Sequence, residues 1–399
     1  MTRTAGRHFL QIPGPTPVPD RVLRAMDCPV IDHRGPAFQV LGRRVLAGIK
    51  TVFQTETHAF IFPASGTGAW EAALCNTLSP GDTVLMYETG HFSNLWKTMA
   101  ERLGLAVRFI ETDWRSGIDA SAIGAALADD KTHTIKAVCV VHNETSTGTT
   151  SSMSDVRKAI DAARHPALLM ADCVSSLASI DYRHDEWGVD VAVASSQKGL
   201  MLPPGLAFNA VSDKAMAATK TARLPRSYWS WDDQAALNAN GYFPYTPATP
   251  MLHGLAEAID ILHEEGFPSV FARHKRLAEA TRRAVRGWGL EILCRDARFY
   301  SPVVTTVLMP GTRGGDAFRE LVLERFDMSL GSGLSKLGDK VFRIGHIGDT
   351  NELTIVAALA GVEMGLALAG IPHKKGGVDA AMAYLAADAK VPEPQTMLA

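Results

Sequence analysis

The stretch Val189-Asp-Val-Ala-Val-Ala-Ser-Ser-Gln-Lys-Gly199 decides the fold. Its first six residues form an apolar run bounded by polar residues and glycine, which predicts a short buried β-strand. Lys198 follows this strand where open α/β proteins bind their ligands, beyond the carboxyl ends of the strands. The amine of such a lysine can attack a carbonyl group and form a Schiff base. A solvated lysine at a strand–loop junction is the alternative, since most lysines are exposed.

A second apolar run favours the functional interpretation of Lys198. Residues 167–171 are apolar and end in Asp172, about one crossover connection before the lysine. If the two strands are parallel, Asp172 and Lys198 lie at the same edge of one sheet. Pyridoxal 5′-phosphate (PLP) requires this pair, because a lysine holds its aldehyde as an imine and a carboxylate keeps its ring nitrogen protonated. Taken alone, Asp172 fits a turn or a helix cap better.

The length and composition of the chain are those of a globular protein. Its 399 residues are enough for two domains, and 46% of them are hydrophobic while 21% are charged. The formal net charge is −2, from 40 basic and 42 acidic residues, and the basic residues form no run or stripe. Because nucleic acids and anionic membranes bind concentrated positive charge, we expect neither as a partner.

The cysteines and the N-terminus bear on the cellular compartment. The five cysteines are scattered, odd in number and without a CxxC spacing, so we expect neither a disulfide framework nor a metal site. The first residues lack the apolar core of a signal peptide, and no stretch reaches the ~20 apolar residues of a membrane span. These observations predict a cytoplasmic protein.

Short apolar strands alternate with amphipathic helices up to about residue 250. Strands are expected at 59–62, 83–86, 107–110, 137–141, 167–171 and 189–194, with helices such as 93–103 and 153–164 between them. This alternation predicts an α/β fold with a doubly wound, mostly parallel sheet.

The pattern changes after about residue 250 and predicts a second, smaller α+β domain. Its elements are two long helices at 252–266 and 268–287, a strand at 302–308, a helix at 316–325 and a strand at 341–344. At the other end, residues 9–20 contain four prolines, which favour an extended arm. The expected division is an N-terminal arm at 1–20, a large domain at 21–265 and a small C-terminal domain at 266–399.

A glycine-containing loop lies between the first predicted strand and the helix after it. Residues 63–71 read Pro-Ala-Ser-Gly-Thr-Gly-Ala-Trp-Glu. The glycines let the backbone approach a ligand, and the free N–H groups at the helix start attract an anion. Ser65 or Thr67 can add a hydroxyl, or can simply cap the helix. The loop matches neither GxGxxG nor GxxxxGK[ST], so with Lys198 and Asp172 it predicts a cofactor phosphate site rather than a dinucleotide or nucleoside triphosphate.

Further polar clusters follow or interrupt predicted strands. In Gly90-His91-Phe92, His91 or Phe92 can stack on a cofactor ring, or can pack in the core. Residues 142–148, His-Asn-Glu-Thr-Ser-Thr-Gly, indicate ligand contacts, with an elaborate turn as the alternative. Arg343 lies inside a strand pattern, where its guanidinium suits a substrate carboxylate or a structural salt bridge.

These motifs together resemble the class V aminotransferases. They occur in the family's order along nearly the whole chain: 12–16 (Ile-Pro-Gly-Pro-Thr), 32–36 (Asp-His-Arg-Gly-Pro), 65–69 (Ser-Gly-Thr-Gly-Ala), 142–148, 171–176 (Ala-Asp-Cys-Val-Ser-Ser), 196–205 (Ser-Gln-Lys-Gly-Leu-Met-Leu-Pro-Pro-Gly), 241–247 (Gly-Tyr-Phe-Pro-Tyr-Thr-Pro) and 342–346 (Phe-Arg-Ile-Gly-His). Within the class, the chain is most similar to the serine–glyoxylate aminotransferases, relatives of the alanine–glyoxylate aminotransferases. The resemblance implies a PLP enzyme of the aspartate-aminotransferase-like fold (PLP fold type I) that works as a homodimer.

The resemblance also implies roles for individual residues. Lys198 matches the Schiff-base lysine, Asp172 the partner of the pyridine nitrogen, and Arg343 the arginine that grips the substrate α-carboxylate. The other matches concern the cofactor. Its phosphate is matched by Ser65, Gly66 and Thr67 of the loop, together with Ser176, and its ring by Phe92, which stacks on it. Gln197 matches a residue beside the cofactor, and Thr145 one near its phenolic oxygen and the substrate. Thr246, with Tyr242 or Tyr245, matches the segment that reaches the phosphate of the neighbouring subunit.

Two positions depart from the family pattern. Cys173 follows Asp172 where a glycine or serine is expected, and Ser195 precedes Ser196 where many relatives have glycine. Both replacements are small and should keep the path of the backbone. They bear on substrate preference rather than on the chemistry.

The implied activity is a ping-pong transamination from L-serine to glyoxylate, which gives 3-hydroxypyruvate and glycine. Alternatives keep this chemistry and use alanine, aspartate or an aminophosphonate or sulfonate amine as the donor. Gln197, where a cysteine desulfurase usually has histidine, and the lack of a cysteine after residue 294 argue against a desulfurase. A ligand-sensing protein that kept the fold is the non-enzymatic alternative, although the chain shows no N-terminal helix-turn-helix pattern.

Overall fold

The computed structural model describes residues 5–311 and 314–387, so the outer ends of the predicted arm and small domain, 1–4 and 388–399, lie outside the described residues. The strands are β1 Phe9–Gln11, β2 His58–Phe62, β3 Thr83–Tyr87, β4 Ala106–Ile110, β5 Ile135–Val141, β6 Asn143–Glu144, β7 Thr149–Thr150, β8 Leu168–Asp172, β9 Val191–Ser195, β10 Ala207–Val211, β11 Val304–Leu308, β12 Met328–Ser332 and β13 Val341–Gly345. The helices are α1 Asp20–Met26, α2 Pro36–Phe53, α3 Gly66–Thr77, α4 His91–Arg102, α5 Ala120–Asp129, α6 Met153–Ala162, α7 Asp213–Ala218, α8 Trp231–Asn238, α9 Thr249–Glu265, α10 Phe267–Gly287, α11 Gly315–Phe326, α12 Glu352–Leu368 and α13 Gly377–Ala387.

A seven-stranded sheet forms the centre of the longer part of the chain. Its strand order is β2-β10-β9-β8-β5-β3-β4. Strand β10 is antiparallel to both its neighbours, while the pairs from β9 to β4 are parallel. The predicted α/β fold with a mostly parallel sheet is therefore confirmed. All six predicted strands are present, with ends shifted by at most two residues.

Strand β10 is the member of this sheet that the sequence pattern does not predict. Its five residues include Asn209, a residue type that is depleted in strands. In the fold, the buried Asn209 side chain donates to the carbonyl of Ala69 at 3.2 Å and accepts from the indole of Trp231 at 3.3 Å. Partners distant in sequence thus satisfy the amide, and no local pattern reports them.

Strand β9 is buried on both faces, which explains its continuous apolar run. Val191 and Val193 lie in the core formed with α3 and α4, whereas Ala192 and Ala194 lie in the core formed with α2 and α9. Side chains of successive strand residues point to opposite faces, so each strand of the sheet contributes to both cores. Residues at the end of β9 consequently emerge from a rigid, doubly covered sheet.

A second sheet of four strands has the order β1-β12-β13-β11 and packs with α10 to α13 around its own core. Strand β1, from the proline-rich arm, pairs in parallel with β12, and the other pairs are antiparallel. Helix α9 ends at Glu265 and α10 begins at Phe267. The division into domains at 265/266 stays a prediction. No helix among the described residues combines the length and apolar character needed to cross a bilayer.

Candidate active site

A cavity opens beyond the carboxyl ends of β8 and β9, beside the N-terminus of α3. This is the position at which open α/β sheets bind ligands. The residues that line it are Ser65, Gly66, Thr67, Trp70, Phe92, Asn143, Thr145, Asp172, Val174, Ser175, Gln197 and Lys198.

Lys198 brings a buried amine into the cavity. Its Nζ donates to the carbonyl of Pro13 at 2.7 Å and to that of Gly14 at 3.3 Å. Burial lowers the pKa of Lys198 to about 8, the charge of Arg343 acts in the same direction, and Asp172 opposes both. A substantial share of the amine is therefore neutral near physiological pH and able to attack a carbonyl carbon.

Asp172 is the last residue of β8 and supplies the carboxylate of the cavity. Its Oδ1 accepts the N–H of Val174 at 2.8 Å. Burial raises the pKa of Asp172 to about 7 and the negative charge of Glu144 raises it further, while Val174, Trp70 and Lys198 act against them. Because ionised Asp172 is stabilised by nearby positive charge, a cationic ring nitrogen placed in this cavity would find a matching partner.

The N-terminus of α3 forms the anion-binding part of the cavity. The helix begins at Gly66 after Ser65, and no side chain caps it. The first N–H groups of a helix have no intrahelical acceptor, so they are available to a phosphate. A Cβ on Gly66 would lie 2.6 Å from Cγ2 of Val174, so this close approach requires glycine. The exposed side chains of Ser65 and Thr67 stand beside this opening.

Arg343 lies on β13, next to the cavity but not among the residues that line it. It is 7% exposed, and its Nε and Nη1 donate to the carbonyls of Ser332 at 2.7 Å and Thr145 at 2.8 Å. Burial lowers the pKa of Arg343 to about 10, and the charge of Glu144 acts against this. Within the described residues, its Nη2 makes no hydrogen bond and can therefore donate to a carboxylate.

Phe92, Thr145 and Gln197 line the cavity as well, from three different segments. Phe92 is the second residue of α4, and its ring meets that of His91 edge-on at 5.2 Å. Thr145 and Gln197 follow β6 and β9, respectively. The sequence therefore identified a set of residues that the fold brings together from regions more than one hundred positions apart.

Besides Arg343, the candidates Ser176 and Thr246 also lie outside the cavity lining. Ser176 is fully buried, and its hydroxyl bonds Nδ1 of His142 at 2.9 Å, so its neighbour Ser175 lines the cavity in its place. Thr246 is exposed and does not reach the cavity of its own chain. The hydroxyl of Tyr245 donates to the carbonyl of Ile61 at 3.0 Å, whereas the ring of Tyr242 stacks on Phe38 with centroids 6.4 Å apart.

Four lining residues were not singled out from the sequence. They are Trp70, Asn143, Val174 and Ser175. Each lies inside a motif that carries the family resemblance or, for Trp70, inside the glycine-containing stretch 63–71, but these motifs do not indicate which of their side chains line the cavity. Asn143 and Ser175 are joined by a hydrogen bond of 2.8 Å between Nδ2 and Oγ, which links the two motifs across the sheet edge.

The residues present fit PLP. A buried amine, a buried carboxylate and an uncapped helix N-terminus line one cavity. Near them, the buried Oε1 of Gln197 and Oγ of Ser195 have no hydrogen-bond partner among the described residues, which is the state expected of groups that contact a bound ligand. A metal would need a different donor set, and residues 5–311 and 314–387 contain no cluster of three His, Cys, Asp or Glu side chains able to bind one.

The family model that matches this chain, and two curated relatives and a solved structure similar to it, are all named as aminotransferases. The family model described as aminotransferase class-V matches residues 8–298. The serine–glyoxylate aminotransferase of Methylorubrum extorquens is 50% identical over 393 residues, which cover 96% of this chain and 97% of that one. The L-aspartate–glyoxylate aminotransferase of Paracoccus denitrificans is 45% identical over 375 residues, covering 94% and 95%.

Among solved structures, the pyridoxamine–pyruvate aminotransferase of Mesorhizobium loti has a TM-score of 0.90 at 28% identity, covering 97% of this chain and 100% of that one. The likeness therefore extends through both sheets. Since a family model spans most of the chain and relatives match nearly all of it, the chain belongs to the class V aminotransferase family.

Proposed function

We propose that this protein is a PLP-dependent aminotransferase that moves the amino group of L-serine to glyoxylate, giving 3-hydroxypyruvate and glycine. The observation that carries the proposal is the buried amine of Lys198 in one cavity with the carboxylate of Asp172. The choice of serine is supported by the 50% identity to the serine–glyoxylate aminotransferase of Methylorubrum extorquens.

When bound, PLP supplies an electron sink for the carbanion that forms at Cα of the amino acid. Lys198 has two tasks: it binds the cofactor aldehyde between turnovers, and its free Nζ accepts the proton from Cα. Its pKa near 8 suits this second task, because a general base works best when its pKa lies near the working pH. Asp172 keeps a positive ring nitrogen in place by charge pairing.

The remaining residues bind and orient. Arg343 holds the substrate α-carboxylate through its free Nη2 and so aligns the Cα–H bond for proton removal. The α3 N-terminus at Ser65, Gly66 and Thr67 would hold the phosphate, and Ser175 would contact the cofactor in place of Ser176. Phe92 would pack against the ring, and Gln197 and Thr145 would contact the cofactor as well.

A second donor has support of its own. The L-aspartate–glyoxylate aminotransferase of Paracoccus denitrificans is 45% identical over nearly the whole chain, so aspartate is the first alternative to serine. Alanine and aminophosphonate or sulfonate amines remain further alternatives. A side chain that differs by one small group changes binding by only ~1–3 kcal/mol, which sequence similarity does not resolve. The buried lysine–aspartate pair favours an enzyme over a ligand-sensing protein that kept the fold.

We also propose that the protein is a cytoplasmic homodimer. Thr246 is exposed on its own chain, as expected of a residue that contacts a neighbouring subunit, and Tyr242 is the tyrosine free to accompany it because the Tyr245 hydroxyl already bonds within its chain. The five free cysteines suit a reducing compartment. Sedimentation equilibrium should give the mass of two chains, and a mass of one chain at micromolar concentration would contradict the dimer.

Substitution of the lysine tests the chemistry. In Lys198→Ala the cofactor has no amine to bind, so the visible absorbance of the internal imine and its reductive trapping by borohydride should both disappear, together with turnover. Lys158→Ala removes an exposed lysine on α6 and should leave all three unchanged. Wild-type activity in Lys198→Ala would refute the proposed mechanism.

A panel of amino donors tests the substrate. Purified enzyme is supplied with glyoxylate and with serine, aspartate, alanine or an aminophosphonate, and glycine formation is measured as kcat/KM for each donor. We expect serine to rank first by about tenfold or more, the discrimination available from one or two small contacts. A serine value well below that of aspartate or alanine would overturn the donor and leave the amino-transfer chemistry intact.

The lowered pKa of Lys198 predicts a pH profile for imine formation in cofactor-free protein. The neutral amine is the reacting form, so the rate of imine formation with PLP should rise with pH and level off above about 8. Arg343 lowers this pKa, hence Arg343→Ala should move the plateau to higher pH. Stopped-flow absorbance measures both profiles. A wild-type rate that still rises tenfold per pH step near pH 10 would contradict the assignment.

A further inference from the structure

Glu144 is a fully buried carboxylate beside the cavity to which the proposed mechanism assigns no task. It lies between two lining residues, Asn143 and Thr145. Its Oε2 accepts the backbone N–H groups of Phe92 at 3.1 Å and Ser93 at 3.2 Å. Its Oε1 accepts both the N–H and the hydroxyl of Ser146, at 3.1 and 2.6 Å.

The partners of Glu144 favour its ionised form. Three of the four groups bonded to the carboxylate are backbone N–H donors, those of Phe92, Ser93 and Ser146, and the fourth is the Ser146 hydroxyl, which can donate or accept. Burial raises the pKa of Glu144, and the hydrogen bonds from Ser146, Ser93 and Phe92 act against this. The ionised form can accept from all four groups, and it lies at the positive N-terminus of α4.

The segment 144–146 accepts hydrogen bonds from the first residues of α4. Besides the two N–H groups bonded to Glu144, the N–H of His91 donates to Oγ of Ser146 at 2.9 Å. The fit leaves no room at Gly90, where a Cβ would lie 2.3 Å from Oγ of Ser146 and 2.6 Å from Cγ of Glu144. The first three N–H groups of the helix are thus bound to one short segment, and the backbone of Phe92 is held in a single position.

The same segment also holds Arg343. The carbonyl of Thr145, the residue after Glu144, accepts Nη1 of Arg343 at 2.8 Å. The negative charge of Glu144 favours the cationic form of this arginine. Phe92 on helix α4 and Arg343 on strand β13 therefore both hydrogen-bond to the segment 144–146.

We propose that Glu144 is a positioning residue that fixes Phe92 against the cofactor ring and Arg343 against the substrate carboxylate. The inference rests on the proposed function, because it assumes that a ring and a carboxylate bind in this cavity. Glu144 touches neither of them and acts through the α4 N-terminus and through the Thr145 carbonyl. Because Glu144 orients these two side chains, its loss should weaken ligand binding more than it lowers the stability of the fold.

Glu144→Gln tests this with little change of shape. The amide has one accepting oxygen and one donating nitrogen, so it cannot accept from Ser146 and from the α4 N–H groups at the same time. We expect the Kd of PLP and the KM of the amino acid each to rise about tenfold or more, in line with the loss of hydrogen bonds to a charged group. The induced circular dichroism of the visible cofactor band should change per mole of bound PLP.

Glu363→Gln is the matched control. The Glu363 carboxylate likewise accepts backbone N–H groups near a helix start, those of Gly376 and Val378 at α13, and also the indole of Trp288. It is a half-buried residue of α12, whose apolar side chains pack in the core of the four-stranded sheet, and it is not among the residues that line the cavity. Its loss should lower the thermal midpoint without changing the cofactor Kd, the KM or the dichroism.

A second variant covers the case in which Glu144→Gln does not fold. Ser146→Ala removes the shortest hydrogen bond to Glu144 and the acceptor of the His91 N–H. We therefore expect it to raise the Kd of PLP and the KM of the amino acid by about threefold each, and to change the induced dichroism of the cofactor band. Values within about twofold of wild type in the folded variants would overturn the positioning role. A wild-type protein without any cofactor band would instead contradict the proposed function, and the role of Glu144 with it.

Discussion

The parallel pairing of β8 with β9 is the constraint on which the site depends. Asp172 ends one strand, Lys198 follows the other, and the pairing places Asp172 opposite Val193. The bond from the N–H of Cys173 to the carbonyl of Val193, at 2.7 Å, continues the ladder just past the end of β8. Because parallel strands end on the same side, the carboxylate and the amine reach one cavity with no need for a flexible loop to bring them together.

The cavity is also organised by charge. Lys198 and Arg343 contribute two buried positive groups, and Asp172 and Glu144 contribute two buried negative groups. Each charge is costly to remove from water, and each lowers that cost for an opposite neighbour. Burial consequently moves the pKa values of Lys198 and Asp172 towards neutrality, which is where an amine can serve as nucleophile and base and a carboxylate can respond to a cationic ligand.

The N-terminal arm contacts Lys198, which its local sequence does not predict. Strand β1 joins the four-stranded sheet, and the chain then passes over Lys198, whose Nζ bonds the carbonyls of Pro13 and Gly14. A Cβ on Gly14 would lie 2.4 Å from Cδ of Lys198, and φ at this residue is +93°, a value that favours glycine. Thr16 continues the contact through its N–H to the Gln197 carbonyl at 3.1 Å. The arm therefore contacts the candidate lysine directly, and it also forms an edge of the small sheet.

The sequence by itself determined the features that depend on near neighbours along the chain. Apolar runs ending in polar residues located β8, β9 and four other strands, and the position of Lys198 and Asp172 at the ends of two runs indicated their chemistry. Local patterns also made Phe92 and Arg343 candidates, each with a structural alternative, and the family resemblance favoured the functional role of both.

Only the tertiary structure decided the features that depend on contacts between distant segments. Strand β10 is stabilised by partners of Asn209 on α3 and α8, and the choice of Ser175 over Ser176 as a lining residue follows from which side chain His142 holds. The importance of Glu144 comes from the approach of α4, more than forty positions earlier in the chain. The physical reason is common to all three. Each feature depends on a hydrogen bond or a burial between segments far apart in the chain, and such a contact produces no periodic pattern in the local sequence of either segment.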